Sequence, residues 1–303
     1  MKKRKNPWLI AFRLRTLPLA FAAIFLGTAL AIFNGYFNVW VFVLALLTAF
    51  ALQILSNLAN DYGDSQKGTD NVQRIGPARA MQSGILNAQQ MMDGIITFGA
   101  IAFVSGSTLL FFVSGLNLPV MLIFLLIGLA SIYASIKYTI GNDAYGYSGF
   151  GDIFVFIFFG IVAVGGTAFL HQHQTIASAL LPASAFGLLS VGVLNVNNMR
   201  DILNDKASNK ITIPVRLGIR KARIYHAILI TVAMFFLMIY TQVSFQYWTQ
   251  WLFLLSLPVF GFHLYKIFTI KTYNEFDPLL KQLAILSTVT ALIFGLGLIL
   301  AVL

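Results

Sequence analysis

Two short polar segments carry aspartates at helical spacing, in a chain that has only ten acidic residues. In the first segment, Asn57, Asn60, Asp61 and Asp64 lie three or four positions apart, so on a helix they occupy adjoining faces of one end. Clustered carboxylates repel one another unless a cation joins them, and oxygen ligands suit a hard ion such as Mg²⁺. A solvated helix end capped by Asn and Asp is the alternative interpretation of this segment alone.

The second segment repeats this spacing. Asn197, Asp201 and Asp205 fall at i, i+4 and i+8, which predicts one stripe along a continuous helix. Both segments follow long apolar stretches, and ionisable groups near a hydrocarbon boundary are costly and usually functional. Two such clusters on one side of a membrane favour a joint site for Mg²⁺ ions that bridge to a diphosphate.

The elements that position these residues are membrane helices. Hydrophobic residues make up 58% of the 303 residues and charged residues 10%, a balance typical of a polytopic membrane protein. Apolar runs without period-two alternation predict helices rather than a barrel, so the predicted fold is all-α. Nine spans are predicted, at about 16–33, 38–57, 94–114, 118–136, 152–170, 177–197, 225–242, 247–265 and 283–303.

Basic residues predict the orientation. All 20 Lys and Arg lie in the N-terminal arm or in connections that leave an even-numbered helix. The positive-inside rule therefore places the N-terminus and both aspartate segments in the cytoplasm, and it accounts for the +10 charge without a nucleic-acid partner. The basic arm at 1–5 lacks a cleavage site and predicts a retained first helix. One domain, 1–303, is expected, with two related helical units at about 1–140 and 141–303.

Several cations lie close to the aspartate segments. Arginine grips phosphate oxygens in pairs, so these residues are candidates to bind a diphosphate whose remainder is apolar, such as a polyprenyl diphosphate. The candidates are Lys67, Arg74, Arg79, Lys137, Lys210 and Arg216. Tyr133 lies one turn before Lys137 and can share its face.

The other polar features predict less chemistry. There are no cysteines, so thiolate chemistry and disulfides are excluded. His171 and His173 are interpreted as solvated residues of an outer loop, and Asp152 as a helix cap after a glycine-rich connection that could cover the site. Helices seven to nine, within their predicted limits, carry no acid, and His226 and His263 are assigned to the scaffold.

Asn60-Asp61-x-x-Asp64 and Asp201-x-x-x-Asp205, on helices two and six of nine, resemble the two aspartate-rich motifs of the UbiA-type intramembrane aromatic prenyltransferases. The resemblance spans essentially the whole chain. Leu58–Asp64, Lys67–Asn71, Gly76–Arg79 and Asn197-Asn198-x-Arg200-Asp201 are most similar to the branch that prenylates 1,4-dihydroxy-2-naphthoate. That resemblance implies transfer of a polyprenyl chain with loss of carboxylate and pyrophosphate, yielding demethylmenaquinone, in the bacterial cytoplasmic membrane.

The resemblance also implies roles for individual residues. Asp61 and Asp64 would hold one Mg²⁺ and Asp201 and Asp205 the other. Supporting oxygen ligands would be Asn57, Asn60 and Asn197, and the cations named above would bind diphosphate. Arg13 or Tyr133 would meet the aromatic acid. The 4-hydroxybenzoate branch usually has an acid where Gly68 stands, and the next acid here is Asp70, which makes a direct metal role for Asp70 doubtful.

Two alternatives remain open at this stage. Another acceptor, such as 4-hydroxybenzoate or haem, would need the same metal site. A cation-coupled transporter would also place polar residues in a helical bundle, but its sites should lie near the bilayer midplane at broken helices. Both aspartate segments lie at one edge, which disfavours the transporter.

Overall fold

The computed structural model of the chain describes residues 6–71, 74–113, 117–173 and 176–303. Within these residues all regular structure is helical, and nine helices are long and apolar enough to cross a membrane. They are α1 (Pro7–Phe33), α2 (Val39–Gln66), α3 (Ala88–Phe112), α4 (Leu118–Lys137), α5 (Gly151–Gln172), α6 (Ile176–Arg200), α7 (Ile213–Val243), α8 (Trp248–Thr269) and α9 (Tyr273–Leu300). The predicted all-α fold with nine membrane-spanning helices is confirmed; the basic arm at 1–5 lies outside the described residues.

The last helix begins earlier than predicted. Thr272 and Glu275 form a capping box, in which the Glu275 carboxylate accepts hydrogen bonds from the Thr272 backbone N–H at 2.9 Å and hydroxyl at 2.7 Å. This start places Asp277 in the first turn of the α-helical part, Phe276–Leu300. The expectation that the last three helices carry no acid is therefore wrong, because the boundary was set by hydropathy and the cap lies outside the apolar run.

The helices pack around a central space through three hydrophobic clusters. One joins α1 with α5 to α9, a second joins the start of α1 with α2, α3 and α4, and a third joins α1 to α5. The most extensive helix contacts are between α2 and α3, α6 and α7, α1 and α9, and α5 and α6. The middle of α5, Phe156–Gly166, is a π-helix, a wide turn often found beside functional sites.

A close contact fixes the end of α2. A Cβ at Gly63 would lie 2.6 Å from Thr139 Oγ1, so only glycine allows the segment after α4 to approach this closely. The Thr139 hydroxyl then donates to the Ala59 carbonyl at 2.8 Å. The first aspartate segment is thereby held against α4.

Buried histidines tie helices together. His171 is 6% exposed, so the prediction of a solvated residue is wrong. Its Nδ1 accepts the Asn38 backbone N–H at 3.2 Å, which leaves the proton on Nε2 to donate to Thr28 Oγ1 at 3.0 Å. His226 and His263 are fully buried, with their Nε2 atoms 3.1 Å apart, between α7 and α8. All three rings lie within the bundle.

Candidate active site

Asp61 presents a free oxygen at the end of α2. The residue is 1% exposed, and its Oδ2 accepts the Ala80 backbone N–H at 3.0 Å. Its Oδ1 is buried and has no hydrogen-bond partner. Because a buried carboxylate oxygen is costly to leave unpaired, Asp61 has the capacity to bind a cation.

Asp64, one turn later, is held by three side chains from three segments. Its Oδ2 accepts from Arg79 Nη1 at 2.8 Å, and its Oδ1 accepts from the Tyr147 hydroxyl at 2.8 Å and from Lys210 Nζ at 3.4 Å. Burial alone would lower the pKa of Lys210, but the carboxylates of Asp64 and Asp205 raise it. The two cations therefore remain charged and are already directed at one point.

The second aspartate segment is not one continuous helix. Asp201 has φ −95° and ψ 9°, so α6 ends at Arg200 and a short helix, Ile202–Ala207, follows. The predicted uninterrupted stripe is wrong in this respect. The Asp201 N–H still donates to the Asn197 carbonyl at 3.2 Å, and the Asp205 N–H donates to the Asp201 carbonyl at 2.8 Å, so the three residues stay adjacent.

Arg200 organises this segment, and the sequence reasoning missed it. Its side chain is fully buried; Nε and Nη2 donate to the two Asp201 oxygens at 2.9 and 2.7 Å, and Nη1 donates to Asp277 at 2.6 Å. Nη2 also donates to Asn197 Oδ1 at 3.0 Å. Burial opposes ionisation of Asp201, but the bonds from Arg200 lower its pKa. Arginine directly before aspartate at a helix end was an available signal: Arg200 belongs to the motif that carries the family resemblance, but no role was predicted for it.

The connections after α2 and α4 join the two aspartate segments. Asn204 Nδ2 donates to the Thr69 carbonyl at 2.8 Å, and the Thr69 and Tyr147 hydroxyls are 2.6 Å apart. The Ile211 N–H donates to the Tyr147 carbonyl at 2.9 Å. Burial, together with the charges of Asp201 and Asp64, raises the pKa of Asp205 to about 7. The segments therefore form one electrostatic unit, and Tyr147 is a second residue that sequence reasoning did not select.

Asp70 pairs with two arginines in the same loop. Arg74 Nε lies 3.2 Å from Oδ1, and Arg79 Nη1 lies 3.1 Å from Oδ2. Neither carboxylate oxygen has a hydrogen bond of good geometry, and burial raises the pKa of Asp70 to about 6 in spite of Arg79. Asp70 thus forms ion pairs with Arg74 and Arg79 that lack well-oriented hydrogen bonds.

A cavity of about 670 Å³ extends from this polar cluster into the bundle. Its apolar part is lined by α1 to α6 and α9, with an aromatic group, Tyr145, Phe154 and Phe158, near the polar end. The predicted site residues that line it are Arg13, Asn57, Asn60, Asp64, Arg74, Arg79, Asn197 and Lys210. Asp277, which the sequence analysis did not select, also lines it.

Other predicted residues do not line the cavity. Asp61, Asp201 and Asp205 are buried beside its polar end. Lys67 lies over the Tyr147 ring, with Nζ 4.0 Å from the centroid. The remaining three are Lys137, Arg216 and Tyr133. Lys137 Nζ lies beside Gly141, 3.0 Å from where a Cβ would be, and Arg216 donates to the Ser148 carbonyl at 2.7 Å. Tyr133 is 64% exposed. The structure does not bring these three to the cavity.

The donor set suits a hard cation only in part. Across the described ranges, no three His, Cys, Asp or Glu side chains converge into a metal-binding group. Asp64 and Asp201 face Arg79 and Arg200 instead. The unpartnered Oδ1 of Asp61 and the oxygen-only composition of both segments nevertheless fit Mg²⁺. The cations that now neutralise these carboxylates are of the kind that binds a diphosphate.

Fold and site together define a class: a multi-pass membrane protein with an acidic and arginine-rich site at the mouth of an apolar cavity. Residues 19–286 match the UbiA prenyltransferase family, and the chain belongs to that family. The predicted family membership and prenyltransferase class are thereby confirmed.

Curated relatives are similar over almost their full length. The chain is 42% identical to the 1,4-dihydroxy-2-naphthoate octaprenyltransferase of Haemophilus influenzae, covering 99% of this chain and 97% of the relative. It is 43% identical to the Escherichia coli enzyme of the same name, covering 98% and 96%.

Solved structures share the fold. The apo UbiA homologue of Aeropyrum pernix K1 superposes with a TM-score of 0.71 at 16% identity, covering 96% of this chain and 99% of that one. A UbiA homologue of Archaeoglobus fulgidus bound to DMAPP and Mg²⁺ gives a TM-score of 0.61 at 16% identity, covering 97% and 99%.

Proposed function

We propose that the protein transfers a polyprenyl chain from polyprenyl diphosphate to 1,4-dihydroxy-2-naphthoate, in a reaction that depends on Mg²⁺. The allylic C–O bond of the donor breaks, and a C–C bond forms at the ring carbon that carries the carboxylate. Loss of CO2 returns the bonding electrons to the ring, so no separate base is required, and the product is demethylmenaquinone in its reduced form. The names of the curated relatives support this acceptor.

One observation carries the proposal: Arg79 and Lys210 converge on Asp64 where the polar cluster opens into an apolar cavity. A diphosphate placed there would take both cations as partners, and its hydrocarbon chain would follow the cavity. Asp61, Asp64, Asp201 and Asp205 would hold Mg²⁺, with Asn57, Asn60 and Asn197 as supporting oxygens. When bound, Mg²⁺ supplies charge neutralisation for the departing pyrophosphate. The Archaeoglobus fulgidus structure with DMAPP and Mg²⁺ supports this choice of ion.

Aromatic rings would shield the reacting carbon. Tyr145 and Phe154 stack with centroids 3.9 Å apart, Phe154 and Phe158 follow at 6.1 Å, and all three line the cavity. Ring faces stabilise positive charge, and an apolar wall excludes the water that would capture an allylic cation. This wall lies next to the cluster that would hold the diphosphate.

Arg13 would bind the carboxylate of the acceptor. It adopts φ 50° and ψ 56°, a left-handed conformation that is uncommon for arginine, at a break in α1. Its guanidinium lines the cavity, its Nη2 is buried without a hydrogen-bond partner, and no described carboxylate forms an ion pair with it. An unpaired buried guanidinium fits a carboxylate that arrives with the substrate.

Arg13→Gln is expected to raise KM for dihydroxynaphthoate by roughly 10- to 100-fold, the value of a charge-assisted hydrogen bond, with little change in KM for the prenyl diphosphate. Inhibition constants supply the control. The variant should bind 1-hydroxy-2-naphthoate, which keeps the carboxylate, more weakly than the wild type does. Its inhibition constant for 1-naphthol, which lacks the carboxylate, should be unchanged. Equal weakening of both compounds would assign Arg13 a structural role.

We also propose that the active site faces the cytoplasm and that the chain consists of two related helical units. The distribution of Lys and Arg supports a site that faces the cytoplasm of a bacterial inner membrane. The equivalent positions of the aspartate segments, at the ends of α2 and α6, support two related units at about 1–140 and 141–303.

The test uses purified protein in nanodiscs with octaprenyl diphosphate and either dihydroxynaphthoate or 4-hydroxybenzoate. Prenylated naphthoate and CO2 are expected in equal amounts, and EDTA should abolish both until Mg²⁺ is restored. Reaction with hydroxybenzoate alone would agree with the proposed metal and diphosphate site but would contradict dihydroxynaphthoate as the acceptor. No transfer to either acceptor, or to haem, by folded protein would overturn the enzyme reaction and favour the transporter.

A further inference from the structure

Asp277, near the start of α9, has one carboxylate oxygen without a protein partner. Its Oδ1 accepts a hydrogen bond from Arg200 Nη1 at 2.6 Å, and within the described ranges this is the only hydrogen bond to the carboxylate. The Asp277 side chain is 38% exposed and lines the central cavity, whereas the Arg200 side chain is fully buried. The buried arginine therefore holds the carboxylate in place, and Oδ2 can accept a hydrogen bond from a molecule in the cavity.

The face of α9 that carries Asp277 continues as an apolar wall. Leu280, Ala284 and Ile285 follow at helical spacing and line the same cavity. Helix α1 packs against α9 and contributes further apolar residues to the lining. Asp277 thus lies where a polar edge meets an apolar surface, which suits a flat aromatic ring that carries polar substituents.

The other cations of this wall do not form an ion pair with Asp277. Lys281, one turn later on α9, and Arg13 and Arg15 on α1 line the cavity as well. Apart from Arg200, no Lys, Arg or His nitrogen of the described residues lies within 4.0 Å of the Asp277 carboxylate. An incoming carboxylate is attracted to the arginines of α1 and repelled by Asp277, which favours one orientation of the ring.

Only one of the proposed substrates can donate a hydrogen bond to Asp277 Oδ2. The polyprenyl chain has no polar hydrogen, and an ionised diphosphate offers acceptor oxygens of the same charge as Asp277. Dihydroxynaphthoate carries two hydroxyl groups beside its carboxylate. Water solvates a partly exposed carboxylate oxygen, but an aromatic ring bound beside it displaces that water. The oxygen then needs a donor from the ring, because a buried acceptor without one is costly.

We propose that Asp277 Oδ2 accepts a hydrogen bond from a ring hydroxyl of the acceptor, which makes Asp277 a specificity-determining residue for hydroxylated aromatic acids. This inference rests on the proposed function, because it takes an aromatic acid as the acceptor. Arg13 binds the carboxylate, Asp277 binds a hydroxyl, and Arg200 acts through Asp277 as a positioning residue. Aromatic acids without the hydroxyl leave Oδ2 unpaired and bind more weakly.

Ligands that differ by one hydroxyl test the proposal. Calorimetric titration uses protein in nanodiscs with Mg²⁺ and a non-reactive thiolodiphosphate analogue of the donor, so binding is measured without turnover. The wild type should bind 1-hydroxy-2-naphthoate or 4-hydroxy-2-naphthoate roughly 10- to 100-fold more tightly than 2-naphthoate, the value of a charge-assisted hydrogen bond. The ligand that binds tightly identifies the hydroxyl. Equal affinity for all three ligands in the wild type would overturn the proposal before any variant is made.

Asp277→Asn replaces the free oxygen and removes the charge. The asparagine oxygen can still accept the bond from Arg200, whereas the amide group in place of Oδ2 donates and cannot accept. The variant should lose the preference for the hydroxylated ligand. It should bind 2-naphthoate at least as tightly as the wild type does, because the repulsion of the ligand carboxylate is removed. Weaker binding of all three ligands by a common factor would show a structural role for Asp277 and overturn the proposal.

Glu275→Gln is the matched control. It removes a negative charge from the same end of α9, at an exposed position outside the cavity lining, and glutamine can still complete the capping box with Thr272. Its preference for the hydroxylated ligand should equal that of the wild type. Asp277→Asn should also leave the Mg²⁺-dependent affinity for the donor analogue unchanged. A loss as large as that of Asp201→Asn would make Asp277 a metal ligand and overturn the proposal.

Benzoates separate the role of Asp277 from the identity of the acceptor. If the wild type binds 4-hydroxybenzoate more tightly than benzoate but binds no naphthoate, dihydroxynaphthoate is contradicted as the acceptor. Loss of that preference in Asp277→Asn would then still support hydroxyl recognition, and its retention would overturn it. A naphthoate preference that survives in Asp277→Asn would overturn the role of Asp277 and leave the proposed acceptor standing. Folded wild-type protein that binds neither class of acid would contradict both proposals.

Discussion

Asp61→Asn should lower kcat by about 10²- to 10³-fold, the loss typical of removing one preorganised electrostatic group from an active site. The substitution keeps the shape of the side chain, and its remaining oxygen can still accept the Ala80 N–H that Asp61 Oδ2 accepts at 3.0 Å. The substitution removes the negative charge of the carboxylate whose Oδ1 has no hydrogen-bond partner. Initial rates at saturating substrate, with thermal stability measured in parallel, check this expectation.

Asp93→Asn is the matched control for that variant. Asp93 is an exposed acid on α3 that accepts a hydrogen bond from Gln89 at 2.9 Å, and it lies outside the cavity lining. Its kcat should stay within a factor of two of the wild type, an allowance consistent with ordinary surface substitutions. A fully active Asp61→Asn enzyme would show that the free oxygen has no part in the reaction.

Arg200→Gln should give the largest loss of stability among single substitutions at the site. The change leaves Asp201 and Asp277 without their shared cation in a region where the arginine side chain is fully buried. Removing one partner of a buried ion pair costs about 3–5 kcal/mol, and the lower end applies because the Asp277 side chain is 38% exposed. The thermal unfolding midpoint should fall by roughly 5–10 °C.

A combined variant separates stability from chemistry. Replacing Arg200 by Met and both Asp201 and Asp277 by Asn removes all three charges together, so no buried charge is left without its partner. The midpoint should recover while activity stays lost, because Asp201 is also required at the site. Arg216→Gln, at an exposed position, should leave the midpoint unchanged. A stable Arg200→Gln protein would show that Asp201 and Asp277 do not need this cation.

The sequence predicted the parts of the site that depend on local spacing. Asp61 and Asp64 lie one turn apart at the end of α2 because the helix continues through the polar segment to Gln66. Arg79 and Lys210 were selected as cations near the acids, and both bind Asp64. These predictions held because helix geometry and charge attraction act over a few residues or along one loop.

Contacts between distant segments were beyond such reasoning. The bond from Arg200 to Asp277 joins residues 77 positions apart, and its prediction required the packing of α9 against α6. His171 is buried by Thr28 and Asn38, which lie more than 130 positions away. The break at Asp201 arises although its neighbours keep helical hydrogen bonds, so spacing alone predicted an unbroken helix.

In the proposed function, the two aspartate segments form one site for Mg²⁺ and diphosphate. Calorimetric titration of a non-reactive thiolodiphosphate analogue of the donor into protein in nanodiscs, with and without Mg²⁺, measures this shared binding. Tight binding is expected only with Mg²⁺, and Asp61→Asn and Asp201→Asn should each weaken it by a similar factor. If Asp201→Asn binds the analogue as the wild type does, the two segments do not share a site.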